Sequence, residues 1–227
     1  MCTVSYIPTS QGFYLTSNRD EDPLRETLPP QEVPLDSKNL LTAPIDKEKG
    51  GSWIATDNNG KVACILNGAF ELHERKLPYA KSRGHYVLEA FQYPSFIDFM
   101  EQVELKNIEP FTLILIDNYL QVLVWDGVKK HMQFLSKELP HLWSSSTLYN
   151  DLQHKTKLAF FNNFLNNNEV NAASILKLHG TQDFMLNLPY VKTVSTTQVC
   201  VSSQETTLQY YPYNTKEENS IGEKINS

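Results

Sequence analysis

The residue with the most to offer chemically is Cys2, one position from the start of the chain. A thiolate is a nucleophile, and a free cysteine thiol ionises with a reference pKa near ~8.5. Removal of Met1 would place a free α-amine on the same residue. That amine has a reference pKa of roughly 7.7–8.0, so a neutral fraction exists at physiological pH to take up the thiol proton. Nucleophile and general base would then belong to one residue, the N-terminal form of the nucleophile–base pair. A second group of chemically able residues, Asn18-Arg19-Asp20-Glu21, follows shortly after.

What faces Cys2 depends on the elements that carry these residues. Cys2-Thr3-Val4-Ser5-Tyr6-Ile7 and Phe13-Tyr14-Leu15-Thr16-Ser17-Asn18 are β-branched and aromatic runs, and Thr9-Ser10-Gln11-Gly12 between them has turn composition. A loop of Ser10-Gln11 alone and a loop of all of 9–12 lead to the same register. In that register Pro8 faces Phe13, Ser5 faces Thr16 and Cys2 faces Arg19. Opposed residues have Cβ atoms about 4.5–5.5 Å apart on one face of the sheet. A guanidinium there favours thiolate over thiol. A slip of one residue would send Arg19 to the other face.

Residues 23–48 carry Pro23, Pro29, Pro30, Pro34 and Pro44 among scattered charges. That predicts a long loop, either a wall or lid over the site or a disordered segment. Residues 51–56 and 61–66 flank Asp57-Asn58-Asn59-Gly60, a hairpin signal. Val62-Ala63-Cys64-Ile65-Leu66 is apolar throughout, as expected for a strand buried on both faces. Asn67-Gly68 ends it, where a polar group can be presented and glycine permits close backbone approach to a ligand. Residues 71–84 are charged and irregular. His73 and Glu74 lack spaced partners for a metal there and are expected to face solvent, and His85 to be a surface or capping residue.

Phe96, Phe99, Met100 and Val103 recur at helix spacing behind Ser95 as N-cap, a core-packing stripe. Residues 111–116 and 120–125 form another hairpin around Asp117-Asn118-Tyr119, and 132–135 extend it. Residues 142–147 read as a short strand with Ser144, Ser145 and Ser146, whose hydroxyls alternate in face. Helices are predicted over 151–165 and 169–178, with Leu158, Phe161 and Leu165 as the apolar stripe of the first and His179-Gly180 as the final cap. Residues 191–201 and 206–211 form a closing hairpin, and the polar residues 214–227 a disordered tail.

Met1-Cys2-Thr3-Val4, Asn18-Arg19-Asp20-Glu21, Gly50-Gly51-Ser52-Trp53 and Ser82-Arg83-Gly84, in that order, resemble the NRDE family. Its eukaryotic members are called transport and Golgi organisation protein 2. The N-terminal part is also similar to the cholylglycine hydrolase and penicillin V acylase branch of the N-terminal-nucleophile hydrolases. That branch has an N-terminal Cys followed by an Arg and, three residues after it, an Asp; Arg19 and Asp22 match the spacing. Hairpins at the start, middle and end with helices clustered between them read as α+β. The resemblance implies the four-layer αββα sandwich of N-terminal-nucleophile hydrolases. It also implies that Asp22, or Asp20, holds the α-amine, and that Asn67 binds the oxyanion through its backbone or its amide. An acylase Asn position falls on Ser145, which would donate a hydroxyl in its place. A second arginine that the acylases carry further on has no match.

The 227 residues, 41% of them hydrophobic, suffice for one domain over 1–213 with a full core. A net charge of −6 without any basic run argues against a nucleic-acid surface. Cys2, Cys64 and Cys200 are widely spaced and odd in number, which indicates neither a disulfide framework nor a zinc site, and no cofactor is called for. No signal peptide precedes Cys2 and no apolar run approaches the roughly 20 residues of a membrane span, so the cytoplasm is the expected compartment. The leading expectation is hydrolysis of a non-peptide amide, or a related acyl transfer, through a thioester on Cys2. The partner would be a small-molecule substrate or ligand with an acyl or amide group. The alternative is a binding or trafficking protein for a small molecule, lipid or haem on the same fold, since the eukaryotic relatives are associated with lipid, acyl-CoA and haem handling.

Overall fold

The computed structural model describes residues 2–34 and 40–213, Cys2 by its backbone alone. The tail expected over 214–227 lies outside the described residues. The chain opens with β1 (Cys2–Thr9) and β2 (Gly12–Glu21), followed by β3 (Thr27–Pro34), β4 (Leu40–Asp46), β5 (Ile54–Asp57) and β6 (Val62–Asn67). After α1 (Gly84–Glu89) and α2 (Phe96–Gln102) come β7 (Phe111–Ile116), β8 (Leu120–Trp125), β9 (Lys130–Leu135) and β10 (His141–Ser144). Then follow α3 (Asp151–Asn167), α4 (Ala172–His179), β11 (Lys192–Ser202) and β12 (Thr206–Pro212). One antiparallel sheet runs β10-β1-β2-β11-β12 and the other β3-β4-β5-β6-β7-β8-β9.

Alternation along the strands sorts the side chains into layers. In β1, Val4 and Tyr6 enter the core that the two sheets share. Ser5 and Ile7 point the other way, Ile7 into a second cluster with Phe161 and Phe164 of α3, Ile175 and Leu178 of α4, and Phe184. The strand β6 is buried on both faces, as its uninterrupted apolar run predicts, with Tyr86 and Val87 of α1 and Phe96, Phe99 and Met100 of α2 in the same core. The order of layers is therefore α3 and α4, five-stranded sheet, seven-stranded sheet, α1 and α2. This is the αββα sandwich.

The first hairpin has the expected register: Cys2 pairs with Arg19, Ser5 with Thr16 and Pro8 with Phe13. Ser95 caps α2 through a capping box with Asp98, whose carboxylate returns to the Ser95 backbone amide. Four expectations fail. Residues 23–48 are not a long loop, because they include β3 and β4, which pair antiparallel. The prolines are tolerated because β3 is the sheet edge and Pro29-Pro30 fall where the register shifts, between Leu28 and Gln31. Pro44 lies beyond the short β4–β5 pairing, which involves only Leu41 and Thr42.

The buried face of α3 is Lys157, Phe161 and Phe164, while Leu158 is 37% exposed. Lys157 is held there by the carbonyls of Asp183 and Phe184, which accept from Nζ at 2.7 and 3.1 Å. Its ammonium also stands 4.4 Å from the centre of the Tyr149 ring. The last helix begins at Ala172 rather than 169, because the Asn171 side chain caps it by accepting from Ser174 N. His73 does not face solvent; its Nε2 lies 3.3 Å from Glu109.

Candidate active site

Arg19 is buried at the end of β2, with 3% of its surface exposed. Its guanidinium donates from Nη2 to Asp46 Oδ2 at 2.7 Å and from Nη1 to Thr27 Oγ1 at 3.2 Å. Glu21 stands 3.9 Å away, and the Trp53 ring lies under the guanidinium carbon at 4.7 Å from its centre. A buried cation needs such partners, since an unpaired one would be strongly disfavoured. Asp46 carries a double load, because Arg25 Nε also lies 2.7 Å from the same Oδ2. Burial works against ionisation of Asp46, but the Lys49 amide and the two guanidiniums outweigh it and hold the carboxyl below its usual range.

The sequence motifs converge on this arginine. Arg19 and Glu21 of the second, Gly51-Ser52-Trp53 of the third and Ser82-Arg83-Gly84 of the fourth line one pocket of about 90 Å³. The two glycines are required by contact between backbones. Ser52 N donates to Gly84 O at 3.0 Å. A methyl group on Gly51 would come within 2.6 Å of the Gly84 carbonyl carbon, and one on Gly84 within 2.8 Å of Ser52 O.

The remaining predicted residues divide. Cys2 is paired by its backbone with Arg19, and its neighbour Thr3 with Ser144 on the other side. Asp20 is fully buried and accepts from Tyr149 Oη at 2.8 Å and from Thr193 Oγ1 at 2.6 Å. Burial pushes its carboxyl above the ordinary range, against those two hydrogen bonds. Asp22 is not brought to the site: it is exposed, and its Oδ1 accepts from Leu24 N at 2.9 Å, closing a turn. Asn67 lines the small pocket at the end of β6.

The Ser145 hydroxyl donates to the Asn67 carbonyl at 2.6 Å and lies 3.0 Å from Thr147 Oγ1. Ser145 thereby ties the end of β10 to the end of β6 beside Asn67. Gly68, at φ +86, makes this crossing possible, since a methyl group there would sit 2.3 Å from Ser146 Oγ. On the β10 side of the same region runs a groove of about 960 Å³, lined by Leu66, Phe70, Val124, Trp143, Ser144 and Leu148 among others.

Two residues of the site escape sequence reasoning. Asp46 and Thr27, the partners of Arg19, belong to the segment read as a loop; strand pairing of Thr27 with Asp46 brings them together. A third group looks catalytic and is not. His179 Nε2 lies 2.8 Å from Ser5 Oγ and its Nδ1 3.0 Å from Asn18 Oδ1. Asn18 Nδ2 donates to His179 O and Phe184 O, which fixes its amide, so Nδ1 of His179 carries the proton and Ser5 donates to Nε2. This Ser–His–Asn relay is wholly buried, and burial lowers the imidazole pKa to about 3. It anchors Asn18 of the second motif to the end of α4.

The fold is shared with several solved hydrolases. An N-acylethanolamine-hydrolysing acid amidase orthologue from Caenorhabditis elegans superposes with a TM-score of 0.61 at 12% identity, over 92% of this chain and 100% of that one. A variant of the conjugated bile acid hydrolase from Clostridium perfringens gives 0.55 at 9% identity, over 94% and 93%. Penicillin V acylase from Agrobacterium tumefaciens gives 0.50 at 10%, over 93% and 86%. At these identities the likeness establishes the N-terminal-nucleophile hydrolase fold and nothing finer. No curated protein matches the sequence. The model of the family described as Transport and Golgi organisation 2 matches residues 1–209, and the chain belongs to that family.

Proposed function

We propose that this protein is a cysteine N-terminal-nucleophile hydrolase, or a related acyl transferase, that acts on a non-peptide amide through a thioester on Cys2. The observation that carries the proposal is the pairing of Cys2 with Arg19 where two further sequence motifs meet. Removal of Met1 frees the Cys2 amine. The amine takes the thiol proton, and Sγ attacks the amide carbonyl. The carbonyl π electrons move to oxygen, and the Asn67 amide, which makes no hydrogen bond among the described residues, binds that oxyanion. Collapse breaks the C–N bond, and the proton held by the Cys2 amine leaves with the departing amine. Water then hydrolyses the thioester, or a second nucleophile takes the acyl group.

Asp20 follows directly on the register partner of Cys2 and is the carboxylate we assign to holding the α-amine. Asp22 is surrendered to its turn. Arg19 contacts the developing charge, and the groove bounded by Leu66, Trp143 and Leu148 receives the acyl part. Removing one oxyanion donor typically costs about 2.7–4 kcal/mol of barrier, which sets the scale expected for Asn67→Ala. The test is Cys2→Ala: turnover of N-acyl amides and labelling by a thiol-reactive acyl analogue should both vanish. Full turnover in that variant refutes the mechanism.

A second function is favoured by one specific feature. The charge of Arg19 is already answered by Asp46 at 2.7 Å, which weakens its pull on a thiolate. A protein that only binds or carries a small molecule, lipid or haem in the groove has no need of a freed cysteine. Intact mass separates the two functions, since a mature chain that retains Met1 has no α-amine on Cys2.

A further inference from the structure

We infer that the small pocket walled by Arg25, Lys49, Arg83 and Trp53 is a binding site for a small oxyanion of carboxylate size. One buried donor there has no acceptor. The Trp53 indole N–H is buried without an acceptor, in a residue only 5% exposed. Arg25 Nε is answered by Asp46 Oδ2 at 2.7 Å, so the indole N–H is the donor left over. Buried donors of this kind are rare in folded proteins and call for an acceptor. Both residues line the same pocket.

Charge points the same way. Asp46 is shared between Arg19 and Arg25, and Glu109 between Arg83 at 3.0 Å and Arg75 at 3.2 Å. Glu48 pairs with Lys49 in partly solvated surroundings, and Glu21 stands by Arg25 at 3.4 Å. The pocket's own lining carries the cations Arg19, Arg25, Lys49 and Arg83 against the carboxylates Glu21 and Asp46, while Glu48 and Glu109 answer Lys49 and Arg83 from outside it. Arg83 is paired with Glu109 at 3.0 Å and donates from Nη1 to Pro110 O at 3.0 Å, and burial still lowers its pKa to about 10. A volume of about 90 Å³ accommodates a single carboxylate or phosphate group and excludes an acyl chain.

The anion site stands whether or not Cys2 is a nucleophile. Its assignment to a substrate's acidic group rests on the hydrolase proposal, with the acyl part in the large groove and the acid at the opposite, amine end.

The experiment is a titration of the 15N-labelled Cys2→Ala protein, in which no turnover competes, following the indole N–H resonance of Trp53 assigned with Trp53→Phe. Acetate, inorganic phosphate, acetamide, N-acetylglycine and N-acetylglycinamide are compared at constant ionic strength. Acetate or phosphate should move the resonance saturably, and acetamide should not. Lys49→Gln and Arg25→Gln should each weaken the response by roughly tenfold, as expected for loss of a charge-assisted contact. N-acetylglycine binding more tightly than acetate, with N-acetylglycinamide inert, assigns the anion to a substrate; equal binding of acetate and N-acetylglycine assigns the site to a free anion. No saturable shift with either oxyanion, an equal shift with acetamide, or a response unchanged in Lys49→Gln overturns the inference. Cys2 labelling in the wild-type protein reports independently on the hydrolase proposal, so the two can fail separately.

Discussion

Asp46→Asn separates the support of Arg19 from its electrostatic effect. Asparagine keeps the shape, and its Oδ1 can still accept from the amides of Glu48 and Lys49, now at 3.1 and 2.9 Å. The other position becomes an NH2 facing two guanidiniums, each 2.7 Å from the present Oδ2. Breaking a buried ion pair costs about 3–5 kcal/mol. Glu21, at 3.9 Å from Arg19 and 3.4 Å from Arg25, retains part of the compensation, so the lower end, about 3 kcal/mol, is expected. For a domain of this size that corresponds to a fall in Tm of roughly 6–12 °C. The gap depends on pH. The carboxyl of Asp46 is held below its ordinary range in the folded protein, so its contribution is complete above the ordinary carboxylate pKa of about 3.9. It is lost as pH falls through the lowered folded value, and the two melting curves should then converge. At the same time Arg19, freed of its carboxylate, acts more strongly on its register partner. Alkylation of Cys2 by iodoacetamide at pH 7, read by peptide mapping with Cys200 as internal reference, should accelerate about three- to tenfold. An unchanged Tm, or slower labelling of Cys2, would refute the reasoning.

Two further outcomes follow from packing and burial. Gly84→Ala should cost about 1–3 kcal/mol, because the new methyl group meets the Ser52 carbonyl backbone. Gly180→Ala, whose methyl group finds its nearest neighbours at 3.5 and 3.7 Å, should be close to neutral in the same chemical denaturation series. His179 stays neutral in the folded protein down to about pH 3 but is protonated in the unfolded chain below its ordinary value near 6.5. Wild-type stability should therefore fall by about 1.4 kcal/mol per pH unit from this residue between those limits. His179→Gln, though less stable at pH 7, should lack that component when urea unfolding is compared at pH 7.5 and 5.

The hairpin that pairs Cys2 with Arg19 was legible because both readings of its turn give one register. The β6 strand was legible for a different reason, since an apolar run of that length can only be buried on both faces. The partners of Arg19 were not legible. Asp46 and Thr27 sit among prolines that, taken singly, break structure, and only the edge position of β3 and its register shift make those prolines harmless. The buried face of α3 was misread because Lys157 is polar; two carbonyls and two aromatic rings beyond the helix override its preference for water. The resemblance implies an oxyanion role for Ser145, whose hydroxyl donates to the Asn67 carbonyl in the structure, a contact no sequence pattern announces. Asp22 matched a spacing but lies one residue past the end of β2, where the chain turns outward.

The central claim is a freed cysteine amine and thiol at the head of β1 that accept an acyl group. It is tested most directly by brief exposure of the mature protein to an activated N-acyl or acyl-ester substrate, acid quench, and tandem mass spectrometry of the N-terminal peptide. The account predicts a peptide that begins at Cys2 and carries one acyl group on that residue, released by hydroxylamine and absent when Asn67→Ala slows the reaction. A peptide that still begins at Met1, or acylation confined to Cys200 and surface lysines, would contradict it.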